Sequence, residues 1–227
     1  SESTTNFIEN DITISGGSLS NFSGSGTTYT AILTPSGDAT YTINVAQNKF
    51  TDSAGNNNSA SNTFTWTFDG TAPIITSILP SWSSYLNATE DNNSGTVTVT
   101  TSGVEDGQIL TITLNGTNYT GSISSNSVTI TISATDLQEL TEGTNTITAN
   151  VSDAVGNAAS EASTTFIYDK TAPSISSIIP SWGSVLNATE DNSNGTVTVS
   201  TSGVEDGQTV TIVLNSISYT GSISNNS

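Results

Sequence analysis

A chain of 227 residues with 20 acidic side chains, two lysines and no arginine, histidine or cysteine carries a net charge of −18. It therefore lacks the clustered cationic surface that nucleic acids and anionic lipid headgroups require. No apolar run approaches the ~18 residues of a membrane-crossing helix, and with neither imidazole nor thiol the chain lacks the soft ligands that zinc and copper favour.

In chain order, residues 1–70 open with ENDITISGGSLSNFSGSGTTYTAILTP and close with DSAGN (52–56) and TFTWTF (63–68), where Trp66 alternates with threonine and is expected in the core. Thr71-Ala72-Pro73 marks a stiff, extended boundary. Strands are predicted over Thr96–Thr101, Ile109–Leu114, Val128–Ser133, Thr146–Val151 and Thr164–Tyr168. In each, apolar residues alternate with Thr or Ser, the signature of one dry face. Asn115-Gly116 predicts a tight hairpin. A single helical turn is expected over Ala134–Leu140, and DAVGN (153–157) repeats the DSAGN turn, with glycine where a positive φ is needed. Short strands at regular spacing indicate a β-sandwich of about seven strands per module.

The chain copies itself. Residues 71–127 and 171–227 align without a gap at a spacing of 100, identical at 42 of 57 positions and different at 15. The acids of the unit are all retained, as Glu90/Glu190, Asp91/Asp191, Glu105/Glu205 and Asp106/Asp206. Three modules are expected: 1–70 and 171–227 as parts of modules, and 71–170 as a whole one. On this reading the first lacks its early strands and the third its late ones. The chain would then be a stretch of a longer polymer, or its halves would be completed by neighbouring chains in a head-to-tail fibre.

The strand–DxxGN–strand–D(K/G)TAP pattern resembles the bacterial immunoglobulin-like repeats of giant calcium-dependent surface adhesins and biofilm-associated proteins. Residues 71–227 are similar to their ~100-residue extender repeats in the NATEDNxxGTVTV and VEDGQ boxes. The resemblance implies an all-β fold of tandem immunoglobulin-like β-sandwich modules in an extended array. It also implies an extracellular or cell-surface location, a spacing role in adhesion, neighbouring modules as partners, and interdomain Ca²⁺ that stiffens the chain.

Placed on such a sandwich, nearly all acids of 71–170 fall at its two poles. At the first junction Asp38 and Asp69 are expected to face Glu105, Asp106 and Asp153. At the second, Glu90, Asp91, Asp136 and Asp169 face Glu205 and Asp206. Converging carboxylates repel unless a cation lies between them, and Ca²⁺ takes six to eight oxygen ligands. The plainer reading is that acids in turns keep the chain soluble.

Trp82 and Trp182, in LPSW and IPSW, are expected to pack beneath the module rather than stack on sugar. The threonine rows suit a solvated β face better than an ice-binding array. The sequons at Asn87, Asn115, Asn118 and Asn187 leave glycosylation open. A carboxylate pair such as Glu90-Asp91 could hydrolyse a glycoside, but a pair copied at each module end fits a junction better. The expected function is a non-enzymatic extender of a long adhesin. The alternatives are a surface-layer or filament subunit built of the same modules, and a glycan- or ice-binding module.

Overall fold

The structure, a computed structural model, describes residues 2–225. The first five strands are β1 (Ile12–Ile14), β2 (Ser18–Ser25), β3 (Thr28–Thr34), β4 (Ala39–Val45) and β5 (Phe64–Phe68). They form a sheet of order β1-β4-β5 and a hairpin β2-β3 with a register shift between Ser20 and Ser23. Phe7 packs edge-on against Phe22, Tyr29 and Phe50, with ring centroids 4.9–5.6 Å apart. Such pairs add to the area term of a small core. Trp66 is half-buried rather than central. It lies on β5, an edge strand, and stacks on buried Tyr41 at 5.1 Å. The Tyr41 hydroxyl fixes the Ser36-Gly37 turn, accepting both backbone N–H groups and donating to the Gly37 carbonyl.

Residues 74–169 supply β6 (Ile74–Pro80), β7 (Tyr85–Asn87), β8 (Gly95–Ser102), β9 (Ile109–Leu114), β10 (Thr117–Ser122), β11 (Ser127–Ile132), α1 (Ala134–Gln138), β12 (Gly143–Asn150) and β13 (Ala162–Asp169). Two sheets result, β11-β8-β6 and β10-β9-β12-β13-β7. The alternation in sequence becomes alternation in burial: Val97, Val99 and Thr101 of β8 and Leu110, Ile112 and Leu114 of β9 point inward. The two sheets touch where β10 meets β11. A Cβ added at Gly121 would lie 2.5 Å from the Val128 side chain, so only glycine fits there. Two sheets, antiparallel but for the β13–β7 pair, packed over alternating residues form an immunoglobulin-like sandwich, and the chain is all-β in that class.

The period-2 pattern does not foreshadow β7. The first strand breaks at the Ser81–Ser84 turn, and its last three residues join the other sheet, parallel to β13. Asn115 and Gly116 take φ of 49° and 76°, as a tight hairpin requires. The expected helical turn is α1, capped by Ser133, whose hydroxyl accepts from the Asp136 N–H at 3.1 Å.

β14 (Ser174–Pro180), β15 (Val197–Ser202), β16 (Thr209–Leu214) and β17 (Ile217–Ser222) complete the described chain. They pair as β14-β15 and β16-β17. The register shift between Ile175 and Ser177 repeats that between Ile75 and Ser77.

By compactness the chain divides into two units interleaved in sequence: Ser1–Ser81, Thr96–Thr131 and Thr146–Thr164 in one, Trp82–Gly95, Ile132–Asn145 and Thr165–Ser227 in the other. The first is cored by Val97, Val99, Leu110, Ile112 and Ile147. The second buries Trp82, Leu86, Leu137, Phe166 and Tyr168, with Trp82 edge-on to Phe166 at 5.1 Å.

Leu86 is 1% exposed, whereas its copy Leu186 is 52% exposed. Leu86→Ala is expected to cost about 2–5 kcal/mol, and Leu186→Ala to stay within about 0.5 kcal/mol. Chemical denaturation followed by amide exchange in β7 and β13 measures the difference, and equal effects would contradict the burial.

Candidate functional site

Carboxylates in this chain meet N–H and O–H donors. The DxxGN turns show how. Asp52 accepts the N–H groups of Ala54 and Asn56 and the side-chain amide of Asn56, all within 2.9 Å. Asp153 accepts the N–H groups of Val155, Gly156 and Asn157 and the Asn157 amide. Gly55 and Gly156 sit at φ of 89° and 97°, which lets the backbone wrap round the carboxylate. The Asn56 side chain, then backbone donors, holds Asp52 down to about 2. Burial pushes Asp153 upward, but the Asn157 side chain and three backbone N–H groups outweigh it, and its carboxyl lies below the usual value.

The two linkers are held alike. At the first, Asp38 accepts the Gly70 N–H at 2.7 Å and the Thr71 hydroxyl, while Asp69 accepts the Thr71 N–H at 3.0 Å. The Thr71 hydroxyl and then the Gly70 N–H draw Asp38 below the ordinary carboxylate value. At the second, Glu142 accepts the Lys170 N–H at 3.1 Å and the Thr171 hydroxyl at 2.8 Å, while Asp169 accepts the Thr171 N–H at 2.9 Å. Asp38 and Glu142 each directly precede a strand, β4 and β12. Glu142 is absent from the sequence-derived set. The signal in the sequence is that shared position: an acid immediately before a strand.

The remaining acids have their own places. Glu105 reaches the Ala154 N–H at 2.9 Å, and the Asn157 amide donates to the Asp69 carbonyl at 3.1 Å. The VEDGQ loop, the DAVGN loop and the first linker therefore meet, as the sandwich placement anticipates. Asp106 turns instead to the Ser125 N–H and Asp206 to that of Asn225, each at 2.7 Å. Glu90 closes the NATED turn on Asn87, and Glu190 does the same on Asn187. Asp136 accepts the Ser133 hydroxyl within the α1 cap. Asp91 is buried and accepts the Tyr168 hydroxyl at 2.6 Å. Burial and then Asp91 push that phenol up to about 12. Asp169 and Glu205 share the rim of a cavity of about 490 Å³ with Thr171, Val204 and Ile223.

The donor set is oxygen only, which suits a hard cation. Among the described residues, however, no three acids converge as a ready-made metal cage. Asp38, Asp52, Asp69, Glu105, Asp106, Glu142, Asp153 and Asp169 each accept at least one backbone N–H. No helix among the described residues is long and apolar enough to cross a membrane.

Two pH limbs follow. Asp52, depressed from 3.8 to about 2, stabilises the fold above the ordinary carboxylate value and loses that contribution as pH falls toward 2; Asp38 and Asp153 act in the same direction. Tyr168, raised from 10.0 to about 12, stabilises the fold below pH 10 and loses its contribution between pH 10 and 12. Melting temperature against pH is expected to be flat between these limbs. Tyr168→Phe should remove the part of the alkaline limb that tracks phenol ionisation at 295 nm; an unchanged limb would contradict the assignment. Glu142→Ala is expected to speed exchange of the Lys170 amide by about threefold to tenfold, the range for an exposed charge-assisted hydrogen bond.

The chain was compared with known proteins. No curated protein matches it. Among solved structures, it resembles a bacterial immunoglobulin-like domain from the M. primoryensis ice-binding adhesin, at 22% identity and a TM-score of 0.33, over 41% of this chain and 96% of that one. It also resembles part of a 1.5-MDa bacterial ice-binding adhesin studied for host cell surface retention, at 19% identity and a TM-score of 0.46, over 88% of this chain and 66% of that one. A third is a Ca²⁺-stabilized adhesin with which an Antarctic bacterium reaches out and binds ice, at 18% identity and a TM-score of 0.41. The chain covers 97% of itself and 54% of that structure in the match. Residues 1–68, under a third of the chain, match the family model described as bacterial Ig-like domain.

Proposed function

We propose that this chain is a non-enzymatic spacer segment of a long cell-surface adhesin, built of modules 1–70, 71–170 and 171–227. The observation that supports this most is the repeated linker clamp. Two linkers of different sequence, DGTAP and DKTAP, are each fixed by one carboxylate from the preceding turn and one from the strand end. A spacer has to carry orientation from module to module, and a linker with two consecutive N–H groups engaged has less freedom to lose it. The family match of residues 1–68 agrees with this reading.

Ca²⁺ is the cofactor in this proposal. Asp38, Asp69 and Glu105 at the first linker, and Glu142, Asp169 and Glu205 at the second, would hold it. Of the other acids of the sequence-derived set, Asp153, Glu90 and Asp136 hold their own turns and Asp106, Asp91 and Asp206 tie theirs to other segments, and all would contribute through the loops they shape. Because the carboxylates must first leave N–H partners, affinity belongs in the weak class of extracellular modules, with Kd about 10⁻⁴–10⁻³ M.

Calorimetry with millimolar Ca²⁺ is expected to show a higher melting temperature than with chelator, by mass action on the folded state. Mg²⁺ should substitute poorly, since its small octahedral shell fits a carboxylate-rich gap less well. Small-angle scattering of the same samples should show a narrower size distribution with Ca²⁺, and Asp169→Ala should broaden it again. Coincident melting and scattering curves with and without Ca²⁺ would remove the cation from the proposal.

A further inference from the structure

The two copied hairpins share a shape and differ in one cross-strand pair. Asn115 and Gly116 turn β9 into β10 at φ of 49° and 76°, and Asn215 and Ser216 turn β16 into β17 at 49° and 64°. Thr113 stands opposite Asn118, and its hydroxyl donates to Asn118 Oδ1 at 2.7 Å. On the matching rung of the copy Val213 stands opposite Ser218. The second hairpin therefore forms without either side chain, and the Thr113–Asn118 pair is not a requirement of the fold.

Asn118 opens the sequon Asn118-Tyr119-Thr120. On an extended strand residues i and i+2 share a face. The Asn118 amide and the Thr120 hydroxyl consequently stand side by side, and both residues are exposed. With Oδ1 held by Thr113, the other arm of the carboxamide, Nδ2, is turned off that rung. Among the described residues it has no hydrogen-bond partner. Other sequons of residues 71–170 are closed. The Asn87 amide donates to Glu90 at 2.8 Å, that of Asn92 to the Ala88 carbonyl at 2.7 Å, and that of Asn150 to Glu161 at 3.2 Å. Asn115 sits on the turn at positive φ, where amide and hydroxyl are not aligned by strand alternation. β10 is also an edge strand, paired with β9 alone. Thr117–Ser122 carries neither a charge nor a proline, the common guards of an exposed edge.

We propose that Asn118 is an acceptor for an N-linked hexose, and that the sugar covers the β10 edge. The donor class is a nucleotide-diphosphate hexose. The Nδ2–C1 bond forms, the C1–O bond to the diphosphate breaks with its electron pair leaving on the nucleotide diphosphate, and one amide proton is released. Oδ1 keeps its bond to Thr113 and Nδ2 keeps one N–H, so the strand needs no rearrangement. At Asn87 the same sugar would crowd the Glu90 carboxylate that closes its turn.

The experiment incubates folded 1–227 with a soluble bacterial N-glycosyltransferase and UDP-glucose, with an unfolded peptide of residues 114–121 as positive control. Mass spectrometry with electron-transfer fragmentation locates each sugar. Asn118 is expected to gain one hexose about tenfold faster than Asn87 or Asn150, whose amides must first leave a carboxylate. Thr113→Val introduces the residue of the copy. It is expected to leave the melting temperature unchanged and to slow transfer to Asn118 about threefold, through lost orientation of the amide. The modified chain should associate more slowly on heating than the unmodified one, and an Asn118→Gln chain treated alike should behave as unmodified. No transfer to Asn118 in the folded chain, or transfer to Asn87 or Asn150 at the same rate, would overturn the assignment. An unchanged rate in Thr113→Val would remove Thr113 as a positioning residue, and equal association of modified and unmodified chains would overturn the role at the edge.

Discussion

Twenty carboxylates and two ammonium groups share this chain, so acids cannot be neutralised in pairs. Many of them instead accept from backbone N–H groups, hydroxyls and asparagine amides. That substitution governs the local structure. Asp52 and Asp153 gather the N–H groups of their turns, Asp136 closes a helix cap, Asp38 and Glu142 hold linkers, and Asp91 enters the interior on a tyrosine hydroxyl. Charge-assisted hydrogen bonds to N–H are stronger than neutral ones and impose direction. Irregular segments with few apolar residues acquire defined shapes from them.

The same substitution explains how a hydrophobic content of 33% suffices. Threonine and serine occupy the wet face of each strand and form cross-strand pairs such as Thr98–Thr129 and Thr40–Thr67, both at 3.1 Å. The dry face needs only alternate Val, Ile and Leu. Loops hold themselves together through Asx-type contacts and draw little on the core.

The strands, the hairpin at Asn115-Gly116 and the short helix were legible because each rests on a local rule: alternation, a positive-φ pair, a cap. The meeting of the VEDGQ and DAVGN loops at the first linker was legible because loops alternate ends in an antiparallel sandwich. The choice of acid within a turn was not. Asp136 and Glu142 lie six residues apart in one connection, and which of them faces the linker depends on where α1 ends and β12 begins. Asp91 beside Glu90 posed the same problem: adjacent side chains in a tight turn point in different directions, one inward to Tyr168 and one back to Asn87. β7 escaped notice because three residues are too few to show a period, and Trp66 because alternation reveals which face is dry but not whether the strand lies at an edge.

The parallel pairing of β7 with β13 has a mechanical consequence. β13 leads directly into the Thr171 linker, β7 is joined to the Thr71 linker through β6, and β7 and β13 run side by side in the same direction. Tension applied through the linkers meets the β6–β8 ladder first; once β6 yields it draws β7 backward and β13 forward, so their ladder is loaded along the strands. Hydrogen bonds perpendicular to such a load yield together rather than one after another from an end. Resistance to pulling is then a matter of the unfolding barrier and not of equilibrium stability. With Tyr168 of β13 anchored on Asp91 just beyond β7, that ladder lies beside the buried aromatic seat.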